Sequence, residues 1–367
     1  MNILIFIIIL LALVLVHEFG HFFAAKKFGI RVDEFGFGFP PKIFGKKFGE
    51  TEYTLNALPL GGFVKIYGEN PDEENTTGPD ASRSFVNKPR WQQALVLFAG
   101  IFANVILAWL LLSFGFLSSG IPVPVADAPD SYVLQNVHLV IMSVSKNSPA
   151  YVAGIKSGDK IISLKSGNEI LSDINPETFK SFIVSHPEKQ IEVGFLRGKS
   201  TNINTTNVTP VIVSGAKKPS IGVSMDQVGL AKLPLGKAFI EGARIDLISI
   251  KGTIVGLYTL IARGIRGKGS MSDVAGPVGM VSMITSALNF GIGGLFYFVG
   301  MLSVSLAVIN LVPFPALDGG RLFFLLIEKI KGSRMNPKFA NMANMVGFGI
   351  LILLMVFVTY HDIVKLF

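Results

Sequence analysis

The chain has 367 residues, 50% of them hydrophobic and only 16% charged, with a net charge of +8. A mean hydropathy of +0.53 excludes an ordinary soluble protein and points to several membrane spans joined by extramembrane segments. The basic excess flanks apolar runs instead of forming a stripe interleaved with aromatics, which argues against nucleic acid, and the absence of Cys excludes disulfides, thiolate ligands and Cys nucleophiles together.

Taken in order, residues 3–25 are an apolar run long enough to cross the ~30 Å hydrocarbon core as a helix. Met1-Asn2 carries no basic side chain, whereas Lys26-Lys27 follows the run. This predicts a retained span with its N-terminus outside and residue 26 onward in the cytosol. Near the cytosolic end stands His17-Glu18-Phe19-Gly20-His21. On a helix the two His lie one turn apart on one face, the spacing at which two imidazoles share a metal, and Glu18 is placed to take a proton from metal-bound water. The competing reading is a membrane anchor with incidental polar residues. Three polar side chains in five at membrane depth are costly, which favours the metal.

Residues 26–90 read as a small β region on the cytosolic side, with strands over Arg31–Phe39, Lys42–Phe48, Thr51–Leu58 and Leu60–Tyr67 broken by Gly and Pro. The apolar pieces 35–40 and 58–64 predict a sheet dipping into the membrane beside the metal, the alternative being a cytosolic β-domain with a Gly61-Gly62 hairpin turn. Glu69 to Asp80 reads as an acidic loop. Residues 91–119 form a second span, in which Asn104 suits a helix–helix hydrogen bond. Composition then changes, and 121–225 reads as one external α+β domain. Its strands are 139–144, 160–164, 191–196 and 201–208, its helices 148–153 and 176–185, and its His138 and His186 are surface or loop residues.

Within 226–294, the charges Lys237, Glu241, Arg244, Asp246, Lys251 and Arg263 argue for amphipathic interfacial helices and a linker over a span. Residues 295–330 are a third transmembrane segment interrupted by Pro313, Pro315, Gly319 and Gly320. Asp318 arrives in that break and, with basic residues following, falls near the depth of His17 and His21; a carboxylate there needs a cation or a metal. Residues 338–361 form a fourth span, returning outward, with His361 at its polar end.

His17, His21 and Asp318 thus offer three metal ligands and leave a fourth position for water, the pattern of catalytic zinc. Lys27 stands where a third His of the extended soluble motif would be, and Glu50 or Glu52 is the weaker alternative ligand. Asn310 is either a donor to the tetrahedral oxyanion or a helix-packing amide.

His17-Glu18-x-x-His21 in a first span, with Asn310-x-x-Pro313-x-Pro315-x-Leu317-Asp318-Gly319 in a later one, resembles the site-2 protease family of intramembrane zinc metalloproteases. The order of four spans with an external domain between the second and third is similar to its bacterial regulator-of-sigma-E branch (RseP type). The resemblance implies zinc on His17, His21 and Asp318, with Glu18 as base. It also implies an external PDZ domain, since the segment Ala153 to Ile162 resembles the Gly-Leu-x-x-Gly-Asp stretch of such domains. Leu58–Ile66 looks like the family's membrane re-entrant hairpin, making Leu60, Gly61, Gly62 and Phe63 candidates for pairing with a substrate strand. Two departures stand out: there is room for one PDZ domain where enterobacterial members have two, and Ala99-Gly100-Ile101 replaces Ala-Gly-Pro.

The expected fold is therefore an α-helical membrane protein with four transmembrane helices, a small membrane-associated β-sheet and one external α+β PDZ domain, in the bacterial inner membrane. The expected activity is cleavage of single-pass membrane proteins within their transmembrane segments, anti-sigma factors and remnant signal peptides being the family-typical substrates. The lipid bilayer, and an exported protein or peptide C-terminus at the PDZ domain, are the other expected partners. A non-catalytic PDZ adaptor is the alternative, but it has no use for Glu18 beside a metal.

Overall fold

The computed structural model describes residues 2–70, 73–198, 200–212, 218–267 and 276–366. The chain opens with helix α1 (Asn2–Lys27), strands β1 (Val32–Phe48) and β2 (Thr51–Ile66), the short α2 (Glu73–Thr77) and α3 (Arg90–Leu117). There follow β3 (Ile121–Pro124), β4 (Leu134–Val144), α4 (Pro149–Val152), β5 (Lys160–Ser166), β6 (Glu169–Leu171), α5 (Pro176–Ser185), β7 (Ile191–Leu196), β8 (Asn204–Val208) and β9 (Val223–Ala231). Five helices complete it: α6 (Leu235–Ile265), α7 (Pro277–Asn289), α8 (Gly291–Leu311), α9 (Asp318–Lys331) and α10 (Pro337–Leu366). Two compact units result, one made of 1–111, 243–282 and 299–367, the other of 112–242 and 283–298.

In the first unit, α1 is apolar apart from Asn2, His17, Glu18 and His21 until it reaches Lys26 and Lys27, whose charges suit the carbonyl-rich last turn. Each long strand of the β1–β2 ribbon folds back on itself, so the four expected strands are present as four pairing arms. Arm 32–37 is bonded on both sides, to 52–55 and to 62–66, while 42–48 pairs with 51–56. Buried polar contacts fix this register: Thr51 Oγ1 donates to the Val32 carbonyl (2.8 Å), Thr54 Oγ1 to Glu34 (2.6 Å) and Asn56 Nδ2 to the Gly38 carbonyl (3.1 Å). Among the described residues, arm 62–66 is therefore an open edge. Gly61-Gly62 is not the hairpin turn entertained above; the chain reverses at Gly49, whose φ of +63° suits a residue without Cβ. The acidic stretch 69–80 also holds more structure than a loop, carrying α2 and an Arg31–Asp80 ion pair at 2.7 Å.

Among the described residues, five helices are long and apolar enough to cross a membrane, the fifth being α6. Within 226–294, read as amphipathic interfacial helices and a linker, α6 runs unbroken for 31 residues. Five of its six charged residues lie at or before Lys251, which leaves an 18-residue window with a mean hydropathy of 1.6. Length and composition make α6 a fifth candidate beside the four expected spans. The third membrane segment, read as one interrupted element, is two helices, α8 and α9, separated by the Pro313–Pro315 bend.

The second unit holds a seven-stranded sheet in the order β3-β9-β4-β5-β7-β8, with β6 beside β5. Leu139, Ile141, Leu164, Phe179, Phe182, Ile191 and Val193 form its core under α5. An Asn175/Thr178 capping box starts α5. Strand β9 carries the sheet to Ala231, past the expected boundary at 225, because its pairing with β3 and β4 is long-range and leaves no local signal. His186 lies in the loop at the C-cap of α5, as one of its two expected placements had it, but not at the surface: it is 7% exposed, stacked on Phe182 and 3.3 Å from Glu169. Asp159, 1% exposed, is held by Arg197 through both oxygens (2.8 and 2.7 Å).

Candidate metal centre

Helix α1 places His17 and His21 one turn apart, edge to face with ring centroids 4.7 Å apart. Their Nε2 atoms are 3.2 Å from each other, and 3.0 and 3.2 Å from Oδ2 of Asp318 at the start of α9. A tetrahedral ion with bonds of about 2.0–2.1 Å holds its ligand atoms roughly 3.3 Å apart, so this triangle has the dimensions of three corners of such a site.

The protonation pattern fits as well. His21 Nδ1 lies 2.9 Å from the Val96 carbonyl, which can only accept, so the ring proton sits on Nδ1 and the Nε2 lone pair is free. His17 Nδ1 meets the side-chain amide of Asn104 at 3.2 Å, while the Asn104 oxygen, fully buried, is left without a partner. Turned by 180°, that amide accepts the His17 Nδ1–H, satisfying its oxygen and giving His17 the same tautomer. Asp318 Oδ2 is likewise buried with no hydrogen-bond donor. Three electron pairs converge with no proton to share, and a divalent cation resolves that arrangement.

Helix α3 supports the pair with Val96, Gly100 and Asn104, spaced four residues apart on one stripe. A Cβ on Gly100 would fall 2.5 Å from Cε1 of His21 and closer still to Nε2. The helices can approach this closely because Gly20 of α1 rests against the Ala99 carbonyl, where any side chain would clash. The Asn104 carbonyl also accepts from Ser303 Oγ of α8 at 2.8 Å.

Asp318 is aimed by the bend before it. Ala316 adopts φ +75°, costly for a residue with a Cβ, and its N–H donates to Asn344 Oδ1 on α10 at 3.2 Å. Gly319 and Gly320 have no room for side chains against the carbonyls of Leu311, Val312 and Phe314. Gly319-Gly320 is thus a packing requirement of the bend.

A cavity of about 400 Å³ opens onto the triangle, lined by Glu18, Asn310 and the edge residues Gly61, Gly62 and Phe63 among others. Glu18 lies within electrostatic range of both imidazoles and Asp318, and the Val64 backbone hydrogen-bonds to it. The structure therefore brings together His17, Glu18, His21, Asp318, Asn310 and Gly61–Phe63; Leu60 belongs to the same strand. It does not bring in Glu50, which pairs with Lys26 and Arg83, or Glu52, which pairs with Lys42. Asn104 makes the expected helix–helix hydrogen bond; sequence reading did not give His17 as its partner, nor the parts played by Gly100 and Asn344. The four-residue spacing of 96, 100 and 104 was the available signal for the first two.

The model of the peptidase family M50 matches residues 5–354. A Clostridium perfringens protein named "Putative zinc metalloprotease CPE1693" is 35% identical over 96% of both chains. The "Regulator of sigma-W protease RasP" of Bacillus subtilis is 29% identical over 99% of this chain and 98% of its own. The "Zinc metalloprotease RasP" of Shouchella clausii is 29% identical over 100% of this chain and 99% of its own.

Proposed function

From the premise that the chain belongs to peptidase family M50, the site-2 protease family, and is a zinc metalloprotease of a bacterial membrane, we propose that it hydrolyses peptide bonds inside transmembrane segments of single-pass proteins. The carrying observation is the convergence of His17, His21 and Asp318, at 3.0–3.2 Å, on a cavity that also exposes Glu18 and an open strand edge. Zinc held by His17, His21 and Asp318 supplies Lewis acidity and lowers the pKa of water to about 7. Glu18 takes the proton of the attacking water and returns it to the departing amine. Asn310 donates its amide to the developing oxyanion. Peptide bonds in a helix are shielded, so substrate must be unwound. Edge 62–66 offers its outward backbone groups to an extended segment and holds it beside Glu18. Anti-sigma factors and remnant signal peptides both have the required single-span form. The adaptor alternative leaves this ensemble without a use.

The test is cleavage of a single-span model substrate by the purified chain in liposomes. Cleavage should stop on chelation, return with zinc, and yield product ends inside the span; ends outside the span would overturn the reading. Strand addition has its own readout, because the chain has no Cys. Phe63→Cys combined with Glu18→Gln should form disulfides with a Cys scanned along the substrate at every second position. A period near 3.6 would mean that the substrate binds as a helix.

The topology belongs to the same reading. For Asp318 to meet His17 and His21 near the cytosolic face, α8 must run inward as α1 does. With α3 running outward, the chain must then start and end on the outer side between them. That supports α6 lying along the interface without crossing, and it puts the seven-stranded sheet, read as a single PDZ domain that takes peptide C-termini, outside the inner membrane. Single Cys residues at Lys232 and at Gly267 should both react with an impermeant thiol reagent from the outer side; labelling from opposite sides would mean that α6 crosses.

A further inference from the structure

Arg321 lies three residues after Asp318, one turn along α9 on the same face, and its guanidinium pairs with Glu69 just beyond the end of β2. Both residues are only partly exposed, at 29% and 22% of their side chains. Both line the metal cavity, and both also line a second cavity of about 100 Å³ that reaches Gln93, Glu328 and Asn344. Arg321 is within electrostatic range of Glu18 as well.

We propose that the Arg321–Glu69 pair is a positioning latch that ties the substrate-accepting edge 62–66 to the metal-bearing helix α9, and thereby selects which substrate bond is cut. It rests on the strand-addition reading above. Arm 62–66 is held on one side by arm 32–37, and its far end is tied through the Tyr67 N–H to the Arg31 carbonyl at 2.9 Å. The packing of Leu322 and Leu325 on the cluster that holds Val64 and Ile66 is non-directional, and neither hydrogen-bonded contact fixes the arm against α9, whose first residue is a metal ligand. Arg321 and Glu69 do, from side chains on the two elements whose spacing decides where an added strand meets the metal. Strand residues advance about 3.3 Å each, so a slip of one residue brings a different bond to Glu18. With Glu69 occupied, Arg321 is also kept from pairing with Glu18, which must stay free to accept a proton.

Glu69→Gln, Arg321→Gln and the swapped pair E69R/R321E test the latch, with product ends read by mass spectrometry, zinc content, and the Phe63→Cys cross-linking scan in the Glu18→Gln background. The two single variants should retain zinc, spread cleavage over neighbouring bonds, blur the alternate cross-link pattern, and lose on the order of tenfold to a hundredfold in kcat/KM, as misplacement of about 1 Å can cost. The swapped pair should restore one dominant bond. A single unchanged bond in both single variants, or loss of zinc from either, would overturn the latch. If the parent protein itself shows no alternate cross-links, strand addition fails and the latch with it. If the parent shows them and the single variants match it, the latch alone fails.

Discussion

Glu18→Gln should retain one zinc per chain and lose cleavage by a factor of 10² to 10⁴, the usual contribution of a positioned acid–base group. Glutamine keeps the size of the side chain and its place beside Val64 and the cavity, so packing around His17 and His21 is undisturbed. What it loses is the ability to accept a proton from water and release it to the amine. The metal triangle does not use Glu18: its three corners are His17, His21 and Asp318. Zinc content and cleavage should therefore separate in this variant, read by metal analysis and by substrate cleavage on one preparation. A Gln variant that still cleaves at the parent rate would assign the proton transfer to another group, and one that loses its zinc would make Glu18 a ligand.

Such a separation was foreseeable from the sequence because the chemistry of the site is concentrated in short, costly patterns. Charged and imidazole side chains inside apolar runs stand out, and the His-Glu-x-x-His spacing carries its helical geometry with it. The break at Pro313–Gly320 was equally legible, since it frees backbone groups at the point where Asp318 enters. The strand arms around 32–66 were readable from Gly and Pro punctuation, but their order was not. The double pairing of 32–37 is set by side chains such as Thr54 and Asn56 reaching across the ribbon. Asn104 illustrates a different limit. Its expected helix–helix hydrogen bond is present, and only the placement of α3 against α1 decides that the partner is His17.

Gly100 offers the sharpest test of that α1–α3 contact. Gly100→Ala should lower zinc affinity by about 10- to 100-fold while leaving every ligand in the chain. The added methyl would lie 2.5 Å from Cε1 and 2.8 Å from Cδ2 of His21, so the ring or the helices must give way. Two effects compete. Alanine favours a helix over glycine by roughly 1 kcal/mol, which should stabilise α3. Overpacking costs about 1–3 kcal/mol, and here the displaced group is the ligand itself. His21 cannot swing aside without giving up its Nδ1 bond to Val96, and Gly20 against the Ala99 carbonyl leaves α1 no slack to absorb the shift. The overpacking term wins, and it is felt at the metal. The stated range corresponds to about 1.4–2.8 kcal/mol, within the overpacking cost, at about 1.4 kcal/mol per factor of ten. Competition with a zinc chelator of known affinity measures it directly. Undiminished affinity in Gly100→Ala would show that α3 does not set the position of His21, and the role assigned to Val96, Gly100 and Asn104 would fall with it.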